Sequence, residues 1–150
     1  MLKVHDLAPE FSAQDQNGKT LSLSSLLERG RLILYFYPKD FTPVCTAQAC
    51  TFRDASEELA TLSANVVGVS GDTDDSHQRF GAKHNVPFSL IADPERRIIE
   101  LYGAVMPILH RTLRVTYVID TTRNILGAFH HELSAAKHLS DVKRALESKP

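Results

Sequence analysis

Leu32, Ile33, Leu34, Tyr35, Phe36 and Tyr37 run without a polar break into Pro38. Continuous rather than alternating apolarity over this length belongs to a strand covered on both faces, the kind found inside a partly parallel sheet. Such a strand needs helices on either side of its sheet, and the flanking sequence supplies them. After Thr42 and Pro43 the period becomes helical, with Cys45, Ala49, Phe52, Ala55, Leu59 and Leu62 recurring every three or four positions.

The remaining elements follow the same logic. Asn17-Gly18 lies between short alternating segments, which predicts an N-terminal hairpin over residues 11–14 and 20–23. Ser24 or Ser25 is placed to cap a short helix ending near Gly30. Residues 65–70 read as a second buried strand, and Asp74 or Asp75 starts a helix of about ten residues by the usual start signals. Residues 87–91 form a third strand, and residues 95–102 a short helix closed by Gly103. Residues 114–120 and 125–130 read as an antiparallel hairpin. Residues 135–147 read as an amphipathic helix with Leu139, Val142 and Leu146 on one face. Alternating strands and helices followed by a hairpin and a helix predict one α/β domain over residues 1–150, a mixed central sheet with helices on both sides.

At 150 residues, with 43% hydrophobic and 23% charged residues, the chain is long enough to bury a real core. Its net charge of −1 gives no field that would favour nucleic acid or an anionic membrane. The start, MLKVHDLAPEF, has neither the apolar core of a signal peptide nor an Arg-rich amphipathic pattern, so the expectation is a soluble cytoplasmic protein.

Chemistry concentrates at the two cysteines. A zinc site needs more ligands than Cys45 and Cys50, and no Cys or His pair flanks them at finger spacing. A bond between them would close too small a loop to restrain the unfolded chain much. Thr42 is a favoured N-cap and Pro43 a favoured first helical residue, which places Cys45 third. Backbone N–H groups there lack intrahelical partners, and with the helix dipole they favour a thiolate over a thiol. Cys50 follows five residues later. In a continuous helix the two Cα atoms lie roughly 8–9 Å apart and about 140° apart around the axis, beyond disulfide reach. Either the two never pair, or pairing is coupled to unwinding of the first turns.

The run Pro38, Thr42, Cys45 resembles the peroxiredoxin active-site pattern, and PKDFTPVCTAQACTFRD resembles its bacterioferritin-comigratory, or Q-type, branch. The resemblance extends through the segments APEF, FYP, VVGVSGD, ADP, LYGA and TYVID. It implies a thioredoxin-like fold with an N-terminal extension, and a peroxidatic Cys45. It also implies a resolving Cys50, a Thr42 hydroxyl that bonds the thiolate and the peroxide, a shielding Pro38, and an active-site Arg114. The substrate would be a hydroperoxide and the product a Cys45–Cys50 disulfide. A thioredoxin or glutaredoxin-like protein would be the reductant, with no metal or cofactor, and the expected state is a monomer or weak dimer. Three positions depart from the branch, which usually has Gly at Val44, Glu at Gln48 and Gly at Leu113. Val44 would stiffen the backbone beside the nucleophile, and Gln48 removes a carboxylate near it.

Two rival functions share this sequence. A disulfide reductase on the same fold would favour Cys-x-x-Cys spacing, which is absent. A non-enzymatic binding module or holdase would not need the Pro38, Thr42, Cys45 set. His130 and His131 read as a surface pair, His77 and His84 as polar surface on one helical face, and Asp72, Asp74 and Asp75 as a loop and helix cap.

Overall fold

The computed structural model describes residues 1–109 and 111–147. Strands β1 (Ser12–Gln14) and β2 (Thr20–Ser22) form a small antiparallel hairpin. The Asp15 carboxylate accepts the Asn17 and Lys19 N–H groups at the turn, and Gly18 takes φ +79°, a left-handed backbone that suits glycine. Helix α1 (Leu23–Leu27) follows directly. Its cap is Ser22 rather than Ser24 or Ser25: Ser22 has extended geometry as the last residue of β2, and it exchanges reciprocal hydrogen bonds with Ser25.

β3 (Arg31–Phe36), β4 (Ala64–Ser70), β5 (Ser89–Ala92), β6 (Val115–Ile119) and β7 (Ile125–His130) make one five-stranded sheet in the order β5-β4-β3-β6-β7. β3 pairs parallel with β4 and antiparallel with β6, which makes the sheet mixed. The central position of β3 explains its uninterrupted apolarity. Ile33, Tyr35 and Tyr37 pack under α2 (Pro43–Thr61) and α5 (Ala135–Glu147), with Phe52, Leu59, Val142 and Leu146. Leu32, Leu34 and Phe36 face the other way, onto Leu23 and Leu26 of α1 and Ile98 and Ile99 of α4 (Arg97–Leu101). Helix α3 (Asp74–His84) lies against the edge strand β5, where Phe80 meets Leu90 and Ala49. Element bounds differ from those read in the sequence by one or two residues at most ends, where fraying and pairing rather than pattern decide. None of the helices is long and apolar enough to cross a membrane among the described residues.

Close packing under α2 depends on one glycine. A Cβ added at Gly68 of β4 would sit 2.9 Å from Cζ of Tyr35 and 3.0 Å from Leu90 Cδ2. Gly68→Ala should therefore destabilise the protein by about 1–3 kcal/mol, the usual cost of overpacking. The urea midpoint should fall with its slope unchanged, and an unchanged midpoint would show that the Tyr35 ring can yield.

Candidate active site

β3 delivers the chain to the site. Beyond Phe36 come Tyr37, Pro38, Lys39, Asp40 and Phe41, then Thr42 as the N-cap of α2 with extended geometry (φ −86°, ψ 153°). Pro43 follows at the first helical position, where its fixed φ fits and its missing N–H is not needed. The Thr46 N–H closes the first intrahelical bond on the Thr42 carbonyl at 2.8 Å. The N–H groups of Val44 and Cys45 thus precede the ladder, at the positive end of the helix dipole.

Cys45 is 1% exposed and Cys50 half-buried, and both thiols are free. Helix α2 runs unbroken through both. Five residues of α-helix turn the second side chain about 140° from the first, so this conformation cannot form the bond between them.

Arg114 reaches Cys45 from the sheet. The register Phe36 opposite Val115 sets Arg114 level with the start of the loop. Val115 and Tyr117 belong to the core on the α1 and α4 side, so strand alternation turns Arg114 and Thr116 toward α2 and α5. Arg114 Nη1 lies 3.1 Å from Cys45 Sγ and 3.1 Å from Gln48 Oε1. Its Nε donates to the Glu132 carbonyl at 2.9 Å, and its backbone N–H to the Glu132 carboxylate at 2.9 Å. A guanidinium only 3% exposed needs such a set of acceptors, and the sulfur is one of them. Burial would raise the Glu132 carboxyl, but the Arg114 N–H, the His130 hydrogen bond and the charges of both residues hold it below the ordinary carboxylate range.

Thr42 and Pro38 stand at the mouth of the loop, both half-buried. The Thr42 hydroxyl donates to the Lys39 carbonyl at 2.8 Å, so its proton goes to the loop rather than to Cys45, and its lone pairs stay open to a donor. The helix cap is made by backbone alone, since the Thr42 side chain makes no cap bond. The loop bond draws that hydroxyl away from the helix end.

The structure thus places a cysteine sulfur at a helix N-terminus, within hydrogen-bond reach of a buried guanidinium and behind a Pro-x-x-x-Thr loop, with the Thr42 hydroxyl on Lys39 rather than on the sulfur. The model of the AhpC/TSA family matches residues 4–127. The chain belongs to that family. Among its relatives, the chloroplastic peroxiredoxin Q of Populus jackii is 41% identical over 143 residues, 93% of this chain and 66% of that protein. That of Sedum lineare is 38% identical, over 93% of this chain and 75% of the relative. The chain thus spans about two thirds to three quarters of the length of these relatives. Peroxidoxin BcpB from Mycobacterium tuberculosis superposes with a TM-score of 0.94 at 31% identity, over 100% of this chain and 99% of that one. Peroxiredoxin Q from Xanthomonas campestris gives 0.84 at 25% identity, over 92% and 90% of the two chains. The thioredoxin-like peroxiredoxin fold read in the sequence is the fold of this protein.

The peroxiredoxin site also holds residues that the sequence did not single out for it. Glu132 joins Arg114 only through the β6–β7 pairing, which spacing does not reveal. Gln48, named in the sequence only as a departure near the nucleophile, lies one turn after Cys45 and accepts from Arg114. His77 is a correction. It was expected on polar surface but is fully buried, its Nδ1 2.7 Å from Asp40 Oδ2 and its Nε2 3.1 Å from the Ile91 carbonyl. The signal was Phe80 three positions on, since both lie on the face that α3 turns to the sheet. Asp40, Asp72 and His77 hold ligand-type atoms within 4.8 Å of one another, and these atoms already bond with Tyr37, Ser70, Ser76 and Ile91. His130 and His131 are not a free pair: they meet the carboxylates of Glu132 and Asp141.

Two outcomes follow from these contacts. Lysine keeps the charge of Arg114 but lacks the planar fork that spans Cys45, Gln48 and Glu132 together. Arg114→Lys should slow single-turnover oxidation by hydrogen peroxide at least about tenfold while the protein stays folded by circular dichroism. A rate equal to the parent's would remove Arg114 from the site.

His138 is buried beside this cluster, with Nε2 2.8 Å from the His131 carbonyl and Nδ1 2.8 Å from Thr116 Oγ1. Burial, together with the charges of His131 and Arg114, pushes it down to about 4 from its ordinary 6.5. A base whose folded value is lowered is protonated first in the unfolded chain, so stability falls as pH drops through 6.5 and the loss ends near about 4. Denaturation curves at stepped pH should show this loss in the parent and a smaller one in His138→Gln. Parallel pH curves would refute it.

Proposed function

We propose that this chain is a thiol-dependent peroxidase with Cys45 as its nucleophile and Cys50 as its resolving thiol. The observation that carries the reading is Arg114 Nη1 at 3.1 Å from Cys45 Sγ, at the positive end of α2. A guanidinium in that place stabilises a thiolate before reaction and negative charge on the departing oxygen during it. The peroxiredoxin names of the relatives support the same reaction class.

The Cys45 thiolate attacks the nearer oxygen of a hydroperoxide, the O–O bond breaks, and the other oxygen leaves as water or an alcohol once protonated. Val44 and Cys45 N–H groups and Arg114 face the charge that develops. The Thr42 lone pairs accept the peroxide hydroxyl, and Pro38 limits access of water. Cys45 is left as a sulfenic acid. The first turns of α2 then unwind, the Cys50 sulfur displaces hydroxide from Cys45, and water leaves as the disulfide forms. An external dithiol of the thioredoxin type, or a glutaredoxin-like protein, returns both sulfurs to thiols. Every side chain in this scheme belongs to one chain, so a monomer suffices. A disulfide reductase reading has no comparable support, because a thiol buried to 1% exposure is poorly placed to attack a protein disulfide.

Peroxide consumption with thioredoxin recycling tests the reading. The parent should consume hydrogen peroxide, Cys45→Ser should not, and an inactive parent would overturn the proposal. Peptide mapping after one equivalent of peroxide should find the Cys45–Cys50 bond. Hydrogen exchange should show lost protection over residues 44–50 on oxidation, with β3 still protected. An oxidised protein without that bond would make Cys50 a packing residue and the resolving thiol an external one.

A further inference from the structure

A densely bonded polar cluster outside the cysteine pocket is centred on Asp40, in the loop just before α2. We propose that Asp40 and His77 are positioning residues for the peroxide reaction. Their buried pair fixes the loop that sets the first turn of α2, and so favours the wound state in which Cys45 meets peroxide over the unwound state in which it meets Cys50. This inference rests on the peroxidase reading above.

Asp40 is 3% exposed and His77 fully buried. One Asp40 carboxylate oxygen accepts the Tyr37 hydroxyl at 2.6 Å. The other accepts the Ser76 hydroxyl at 2.8 Å and faces His77 Nδ1 at 2.7 Å. Burial would raise this carboxyl, but the bond and charge of His77 and the Tyr37 and Ser76 hydroxyls bring it below its ordinary range. The Asp40 N–H donates to Asp72 at 2.8 Å, and Asp72 is itself held by the Ser70 hydroxyl at 2.6 Å. The second nitrogen of His77 lies 3.1 Å from the Ile91 carbonyl and 3.4 Å from Ser70 Oγ. Each ring nitrogen of His77 thus has an oxygen within hydrogen-bond distance.

The next residue shows what the pair holds. Phe41 has φ +66°, a left-handed backbone that a residue with a Cβ adopts only where its surroundings impose it. Its ring stands edge-on to Phe80 at 5.3 Å between centroids, and the Arg79 guanidinium lies 5.8 Å from the ring centre. Thr42 follows with its hydroxyl on Lys39. Residues 39–42 are therefore each tied, and the ties on Asp40 and Phe41 run to α3. On the far side of Cys50, Arg53 Nη1 donates to the His84 carbonyl at the end of α3, at 2.7 Å. The segment that must unwind for Cys45 to meet Cys50 is thus anchored at both ends on one helix. Fixing its N-terminal anchor sets where the first turn restarts after each cycle.

A buried carboxylate with its histidine partner is a poor device for stability alone, since apolar residues of similar volume often serve as well or better. A pair that positions a loop has a signature that a merely stabilising one lacks. Peroxide attack needs the wound, preorganised Cys45, whereas alkylation by iodoacetamide needs Cys45, now 1% exposed, to come out of the pocket. Loosening the clamp should therefore move the two rates in opposite directions.

The test uses Cys50→Ser as parent, so that Cys45 is the single thiol, and adds His77→Gln. Sulfenic acid formation with hydrogen peroxide should slow about tenfold or more, and iodoacetamide alkylation should speed up about tenfold. Should His77→Gln fail to fold, the charge-free pair Asp40→Asn with His77→Gln avoids an unpaired buried charge and carries the same comparison. Folded variants whose two rates stay within about twofold of the parent, or shift in the same direction, overturn the clamp and leave the peroxidase reading standing. A parent that does not react with peroxide overturns that reading, and the clamp with it.

Discussion

Everything at the catalytic end of this molecule depends on a guanidinium kept out of water. Arg114 is 3% exposed, and its charge is tolerable because Nη1 meets Cys45 Sγ and Gln48 Oε1 and Nε meets the Glu132 carbonyl. The same requirement works in reverse on Cys45. Its sulfur has a charged donor within hydrogen-bond reach and lies in the first turn of α2, at the positive end of the helix dipole. Gln48 matters here because a carboxamide accepts from Arg114 without neutralising it. The cation's field is shared between the Glu132 carboxylate and the sulfur.

A second constraint is purely geometric. An α-helix cannot bring residues five apart together as a disulfide, so a chain with Cys45 and Cys50 in one helix can hold them reactive or hold them bonded, but not both. In the proposed reaction the wound state of α2 serves attack on peroxide. The bonded state requires its first turns to be given up. The proposed cycle therefore needs stability graded along this helix, with a firm base and a start that opens. The base is visible in Phe52, Ala55 and Leu59, packed on β3 and α5, while the start is flanked by half-buried Pro38, Thr42 and Val44.

Helix α3 supplies the frame around the start of α2. It touches the sheet through Phe80 and through His77 on the Ile91 carbonyl, and it meets the active-site loop through Ser76, His77, Arg79 and Phe80. Polar groups rather than apolar ones make the connection at Asp40. Hydrogen bonds fix direction as well as distance, which apolar contact does not.

The sequence alone determined the elements with strong local signals. The apolar run into Pro38 fixed the central strand, because only burial on both faces tolerates such a run. Thr42 and Pro43 fixed where α2 begins, and hence the place of Cys45, because capping is a matter of a few adjacent residues. What depended on pairing across the chain was not legible in composition or spacing, and Arg114 entered only through the family resemblance. It reaches Cys45 because β6 runs antiparallel to β3 in a particular register, and Glu132 reaches Arg114 because β7 then returns beside β6. His77 read as surface because a lone histidine among Asp74, Asp75, Gln78 and Arg79 carries no apolar signal, although it occupies the inward face with Phe80. Periodicity reports which face of an element is apolar. Only the tertiary structure decides when a polar side chain takes an inward place, because that depends on a partner such as Asp40, 37 residues away in the chain.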